Sequence, residues 1–353
     1  MLSRCYQLFA LLLFLTATSP APLRVAAEHA GLLVGTAVRP SLLSEAAYSA
    51  TLAREFNMVE PEDAMKWWMV RSTPGTFDFS KADEIVRFAQ AHGMKVRGHC
   101  LVWDHNNPQW LADGRFTPAQ LSRLLQEHIT TVMKHYAGQV FAWDVVNEAL
   151  DESGRLKDSP WFNQPGIGLA EKDTAYIEQA FRWAHEADPQ ALLFYNENGG
   201  EGLNRKSDAI YAMVKAFKQR GVPIDGVGLQ MHISHLELDT AAIASNIARL
   251  TALGLQVHIT ELDVSLPVDA NGTASDGDLL RQAEIYREVV RACLQSPKCT
   301  AIQTWGFTDR YSWIGSHSHR TRGAALPFDR AYKPKAAFQI MFEEISAKNS
   351  QPH

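Results

Sequence analysis

Eight apolar runs recur along the chain, and between them the spacing of apolar positions changes from strand-like to helical. The runs are LLVGTAV (32–38), FNMVE (56–60), MKVRGHCLVW (94–103), VFAWDVVNE (140–148), ALLFYNEN (191–198), GVGLQMHI (226–233), LQVHITELDV (255–264) and AIQTWGF (301–307). Amphipathic patterns that predict helices lie between them, at 81–93, 175–189, 207–221 and 241–254 among others, and a final one covers 334–347. Gly93, Gly221 and Gly254 stand where helices end, the place where a residue without a Cβ can take the left-handed closing turn. Near-continuous apolar strands alternating with amphipathic helices predict a parallel sheet covered on both faces. Eight such units in a chain of 353 residues predict an α/β fold, a single (β/α)8 TIM barrel. The competing open, doubly wound sheet usually carries a Gly-rich first turn, whereas TAVRPSLLS follows the first run here.

In a barrel of this kind, functional groups sit at the C-terminal ends of the strands. Those ends are loaded with polar and aromatic residues. They carry Glu62, Asp63 and Lys66 after the second run, then His99, Trp103, Asp104 and His105 at the third. The fourth ends in Asn147-Glu148 and the fifth in Asn196-Glu197-Asn198. Gln230 and His232 end the sixth, with His235 just beyond, and Glu261 and Asp263 the seventh. Trp305 lies in the eighth, and Trp313 in the loop after it. Residues two apart on a strand face one side, so Glu261 shares a face with Asp263, and Gln230 with His232. Glu148 and Glu261 can then oppose each other across the barrel mouth. Two such carboxyls, one protonated and one ionised near neutral pH, divide the roles that glycosidic bond cleavage needs.

Blander readings exist for each residue. A carboxylate after a strand can cap a helix or pair with a loop cation, and tryptophans can fill a core. His232, His235, His258, Glu261 and Asp263 could also suggest a metal. His258 stands three residues before Glu261, however, so the two point to opposite strand faces, and no HExxH helix is present. The expectation is therefore a site with no metal and no organic cofactor.

Composition narrows the setting. Lys+Arg number 34 against Asp+Glu 39, for a net charge of −5, and no basic stripe that would suit nucleic acid is present. Arg4 precedes the apolar stretch LFALLLFL (8–15), which is short for a membrane span, and VAA at 25–27 offers a cleavage motif before Glu28. The expected organisation is a signal peptide over 1–27 and one catalytic domain over 28–353, exported to the periplasm or the exterior, monomeric and without stable membrane insertion; a short N-terminal anchor is the alternative. Export implies an oxidising compartment, where Cys293 and Cys299 can close a small disulfide loop and Cys100 remains a buried thiol. Asn271-Gly-Thr fits a glycosylation sequon.

WDVVNE (143–148) and ITELD (259–263) resemble the two catalytic signatures of family 10 glycoside hydrolases, the endo-β-1,4-xylanases. GHCLVW (98–103), MKW (65–67), GLQMH (228–232) and WGFTDRYSW (305–313) resemble its other blocks, in order, over about residues 32–345. The resemblance implies a secreted, retaining, endo-acting hydrolase of xylan, with polysaccharide as its partner. Glu148 would be the acid/base and Glu261 the nucleophile. Asn147 would donate to the sugar 2-hydroxyl, His232 would hold the nucleophile and Asp263 would orient His232. Gln230, Lys66, His99, Trp103, Trp305, Trp313, Glu62 and Asp63 would bind or wall the sugar.

Departures from the family pattern fall beside these residues. The family usually has Asn at Asp63, His at Asp104, Gln at Asn106, and Asn-Asp-Tyr-Asn where Asn196-Glu197-Asn198-Gly199 stands. Another β-linked glycan is therefore an alternative substrate. The loop GSHSHRTRG (315–323) adds His317, His319, Arg320 and Arg322, and arginine forks suit carboxylates, so a uronic-acid-decorated glycan is a further one. A non-catalytic carbohydrate-binding barrel would require loss of a glutamate, and both are present.

Overall fold

The computed structural model describes residues 21–170 and 173–348. Its strands are β1 (Leu33–Val38), β2 (Met58–Pro61), β3 (Lys95–Val102), β4 (Ala142–Asn147), β5 (Leu192–Glu197), β6 (Gly226–Leu229), β7 (Gln256–Val264) and β8 (Cys299–Thr304). Each pairs in parallel with its sequence neighbour, and β8 pairs with both β7 and β1, which closes the barrel. The sequence pattern thus yields a closed (β/α)8 barrel, with each run forming a strand within a few residues of its expected ends.

The predicted helices form as Ser80–Ala91, Ala175–Ala187, Arg205–Gln219, Thr240–Ala252 and Ala336–Lys348. Gly93, Gly221 and Gly254 take φ of 62°, 65° and 87°, the left-handed closure expected of them. Further helices cover Pro118–His135 and Asp276–Leu294. Thr117 and Gln120 cap the first of these reciprocally, and Ser275 caps the second by accepting the Asp278 N–H. The disulfide Cys293–Cys299 forms, tying the end of helix Asp276–Leu294 to the start of β8, and Cys100 is a buried free thiol.

Only the end of the expected leader falls among the described residues. Residues 1–20, which hold most of the expected leader, lie outside the described residues. Helix Leu23–His29 begins within the expected leader and is packed into the fold: Leu23, Ala26 and Ala27 are buried, and the helix packs against Ala46–Glu55 and Ala336–Lys348. The Leu23 N–H donates to Glu55 Oε2 at 2.8 Å, and the Arg24 guanidinium donates to the carbonyls of Ala53 and His92 at 2.9 and 3.2 Å. A cut after Ala27 would fall inside this helix. Small apolar residues that read as a cleavage motif suit a helix face pressed on a barrel equally well.

Two features of the barrel place the site. Its interior holds a charged group instead of only aliphatic side chains: Arg97, Glu60 and Asp144 are all fully buried, and Arg97 donates to both carboxylates. The sixth strand also breaks. Met231 takes φ 64°, its N–H bonded to the Glu201 carboxylate at 3.2 Å, and pairing resumes at His232–Ile233 against the far end of β7. Gln230 and His232 therefore reach the mouth across a kink and not along one straight strand.

Candidate active site

Glu148 follows the last residue of β4 and adopts φ 54°, a conformation unfavourable by about 1 kcal/mol or more for a residue with a Cβ. Its N–H is held by the Asn196 carbonyl at 2.9 Å. The carboxylate accepts from Gln230 Nε2 at 2.8 Å and Trp103 Nε1 at 3.2 Å, with Lys157 Nζ 4.0 Å away. Glu261 lies within β7 and is buried. It accepts from Asn196 Nδ2 at 2.8 Å on one oxygen and from His232 Nε2 at 3.1 Å on the other.

The two glutamates share one network. Asn196 Nδ2 also donates to Asn147 Oδ1 at 2.9 Å, and Gln230 Nε2 reaches the same oxygen at 3.3 Å. Asn147 Oδ1 is thereby committed, and its amide N–H groups are left to donate outward. Asn196 is held in turn by Thr260, whose hydroxyl donates to its Oδ1 at 2.8 Å. Gly228, opposite Asn196 in the β5–β6 register, is needed here, because a Cβ at that position would collide with the Asn196 amide.

Asp263 Oδ2 accepts from His232 Nδ1 and from Trp313 Nε1, both at 2.9 Å, and so fixes the imidazole and one aromatic wall together. Burial opposes charge on His232, but the carboxylates of Asp263 and Glu261 outweigh it and hold the imidazolium well above its ordinary range. Burial also pushes the Glu148 carboxyl up, yet the Gln230 donor, Lys157, His99 and Trp103 together hold it below the ordinary glutamate value. A carboxyl of this pair that keeps its proton near neutral pH was expected. Glu148 is not that group in the free protein, because its neighbours are donors and cations. The glutamates that burial pushes up to about 7 are Glu60 and Glu197.

Lys66, buried, pairs with Asp63 at 2.8 Å and lies over the rings of Trp103 and Trp305, 5.1 and 5.7 Å from their centroids. Glu62 is bound by both arms of Arg39. His99 stands edge-on to Trp305 with its Nδ1 bonded to Asp144 at 2.9 Å. The residues expected at the site are thus gathered at one end of the barrel. The exceptions are His258, stacked on Phe194 and bonded to Thr300, and His235, exposed on its loop.

Sequence reasoning passed over Asn196 as the linking amide, and passed over Glu60, Arg97 and Asp144. Asp144 left a visible trace as the one polar break inside FAWDVV. Among the altered subsite residues, Asn198 Oδ1 accepts from Lys206 and Asp104 bonds His105. Arg322 is anchored through Nε and Nη2, which donate to the Ser265 hydroxyl at 3.0 Å and the Ser234 carbonyl at 2.6 Å.

Glu60, His99 and Glu261 bring possible metal-ligating atoms within 4.8 Å of one another. Among these atoms Glu60 Oε2 accepts from Arg97, His99 Nδ1 is bonded to Asp144 and Glu261 accepts on both oxygens, while Glu60 Oε1 has no partner among the described residues.

A sequence model described as Glycosyl hydrolase family 10 matches residues 22–344. Endo-1,4-beta-xylanase B of Thermotoga neapolitana is 38% identical over 330 residues, covering 93% of this chain and 92% of the relative. Endo-1,4-beta-xylanase C of Phanerodontia chrysosporium is 35% identical, covering 94% and 80%. Among solved structures, xylanase 10B from Thermotoga petrophila RKU-1 in complex with xylobiose superposes with a TM-score of 0.88 at 38% identity, covering 94% of this chain and 99% of that one. With a closed barrel, a two-glutamate mouth and matches that span nearly the whole chain, the protein belongs to glycosyl hydrolase family 10 and is a glycoside hydrolase.

Proposed function

We propose that the protein is an exported endo-1,4-β-xylanase that cleaves xylan with retention of configuration by a double displacement. The observation that carries this reading is the single hydrogen-bond network joining Glu148 to Glu261 through Gln230, Asn147 and Asn196. Relatives named endo-1,4-beta-xylanases that align over most of both chains support xylan as the substrate.

In the first step a Glu261 oxygen bonds to the anomeric carbon as the glycosidic C–O bond breaks, and Glu148 gives its proton to the departing oxygen. In the second, Glu148 takes a proton from water, the water oxygen bonds to the anomeric carbon, and Glu261 leaves as carboxylate. Glu148 must gain its proton when substrate arrives. A sugar that excludes water from the site strengthens the desolvation that already pushes this carboxyl up. Asn147, its oxygen committed within the protein, offers N–H to the sugar 2-hydroxyl. Trp103, Trp305 and Trp313 wall the ring, and the Lys66 ammonium beside them suits its hydroxyls. Export agrees with the apolar stretch at 8–15 and with a disulfide in the folded chain.

Linear β-1,4-xylan should be cut internally, with the β-anomer of the new reducing end appearing first by proton NMR. First appearance of the α-anomer would refute retention, and hydrolysis of β-1,4-glucan without xylan would refute the substrate. A second reading, preference for acidic decorations, retains one support. A cavity of about 870 Å³ beside the Trp313 loop is lined by Arg310, Arg320, Arg322 and Arg330, with Asp269, Asp309 and Asp329 also on its wall. Rates on glucuronate-bearing and bare xylo-oligosaccharides after Arg320→Ala check it, and equal change on both would remove it.

A further inference from the structure

Beneath the sugar-facing residues lies a buried carboxyl that the chemistry above does not use. Glu60, on β2, has no exposed surface. Its Oε2 accepts from Arg97 Nη1 at 2.9 Å, but its Oε1 has no hydrogen-bond partner and lies 3.8 Å from His99 Nδ1. A buried carboxylate oxygen left without a donor is unfavourable and calls for a reason. His99 supplies one. Its Nδ1 sits between Asp144 Oδ2 at 2.9 Å and Glu60 Oε1, while its Nε2 has no hydrogen bond to the protein among the described residues. The ring stands edge-on to Trp103 and Trp305, the two walls of the cleft.

The protonation of this imidazole decides what the cleft offers a sugar. A neutral ring that donates Nδ1–H to Asp144 presents Nε2 as an acceptor. An imidazolium keeps that bond and presents Nε2–H as a donor. We propose that Glu60 is a positioning residue that acts through His99, its carboxylate joining Asp144 to hold the ring as a two-proton donor toward a sugar hydroxyl. The inference rests on the glycosidase reading of this cleft and adds a group behind it.

The surrounding charges agree in sign. Glu60 on β2, Asp144 on β4 and Glu261 on β7 are negative and favour the His99 cation. Arg97 on β3 opposes it but is neutralised by the bonds it makes to Glu60 and Asp144. Lys66 beside the cleft is paired with Asp63, and Glu148 faces the ring from beyond β4. Burial opposes charge on His99, yet Asp144, Glu60 and Glu261 outweigh it and raise the ring above its ordinary value. Burial pushes the Glu60 carboxyl up to about 7. Each group thus favours the charge of the other, and in the proposed state the proton lies on the ring when Glu60 is the carboxylate.

Glu60→Gln keeps the shape and an oxygen for Arg97 but removes the charge. Imidazole 15N resonances, with His99 assigned by its loss in His99→Gln, give the titration midpoint without substrate. The midpoint should fall by about one pH unit in Glu60→Gln. Above the new midpoint, KM for a xylo-oligosaccharide should rise about tenfold, for loss of a charged donor, while kcat changes less. An unchanged His99 midpoint in folded Glu60→Gln overturns the proposal. Should that variant not fold, side-chain 13C shifts of Glu60 in the unaltered protein decide. A Glu60 titration sharing the His99 midpoint supports the pair, and a carboxyl that titrates apart from His99 overturns it. Because the imidazole readout needs no substrate, a failure of the xylan assignment would leave this result legible.

Discussion

Glu148 reaches the cleft from a left-handed backbone and is met there by two neutral donors, from Gln230 and Trp103. Those donors favour its ionised form, yet its proposed role as acid needs the proton. Gln230→Ala removes the larger of these bonds, so the Glu148 carboxyl should move up toward its ordinary value. The protonated form then persists to higher pH, and the alkaline limb of kcat/KM should shift upward; a downward shift in the pH–rate profile would contradict the assignment. Glu261→Ala should lose turnover on every substrate, since it removes the proposed nucleophile. Glu148→Ala should lose roughly 10²–10⁴-fold on xylan but little in the first step with an aryl glycoside whose leaving group needs no proton, as steady-state and burst kinetics would show. The residues proposed for the chemistry could be named from the sequence because strand register and the family resemblance both point to them. Glu60 and Arg97 could not, because a sequence shows that a strand carries a charge but not which charges meet inside a barrel. Asn196 was seen as a strand end, and its role as a link depends on β5 lying beside β4 and on its side chain reaching across Gly228 of β6 to β7.

The elements explain why these side chains hold their places. The β5–β6 register sets Gly228 opposite Asn196, where a Cβ would meet the amide that ties Asn147 to Glu261. Gly228→Ala should therefore lower stability by about 1–3 kcal/mol through overpacking. It should also reduce kcat on xylan more than a stability loss alone explains, since the displaced amide holds Glu261, the proposed nucleophile; melting curves and kinetics on the folded fraction separate the two effects. At the other end of the barrel, the disulfide closes a sequence separation of 6 between a helix end and β8. Cys293→Ser should cost about 2 kcal/mol by loop entropy and lower the melting temperature without moving kcat, because the bond lies away from the mouth. Strands and helices were legible from apolar periodicity alone. The break at Met231 was not, since GLQMHI reads as an uninterrupted run, and it is the Glu201 carboxylate, distant in that pattern, that holds the turned N–H.

At the scale of the whole molecule, a closed barrel leaves the seam between its first and last helices to be covered, and Leu23–His29 packs there against β1. It lies between the helices Ala46–Glu55 and Ala336–Lys348, so it joins the beginning of the barrel to its end. The closed architecture was legible from eight repeats, but this seam was not, because residues 21–27 carry the small apolar composition of an export signal. A chain beginning at Glu28 would lose the buried Leu23, Ala26 and Ala27 and the Arg24 bonds to two carbonyls. It would also leave the Glu55 carboxylate buried without the Leu23 N–H. Burying one leucine is worth about 1.5–3 kcal/mol, so the combined loss should reach at least about 3 kcal/mol. A chain beginning at Ala21 should retain full stability, and its melting temperature should exceed that of the Glu28 chain by several degrees. Equal melting temperatures would show that the helix is dispensable and would restore Ala27 as an acceptable cut. If the difference is found, processing of an exported chain must occur ahead of Leu23, and N-terminal sequencing of secreted protein should read a residue upstream of the helix.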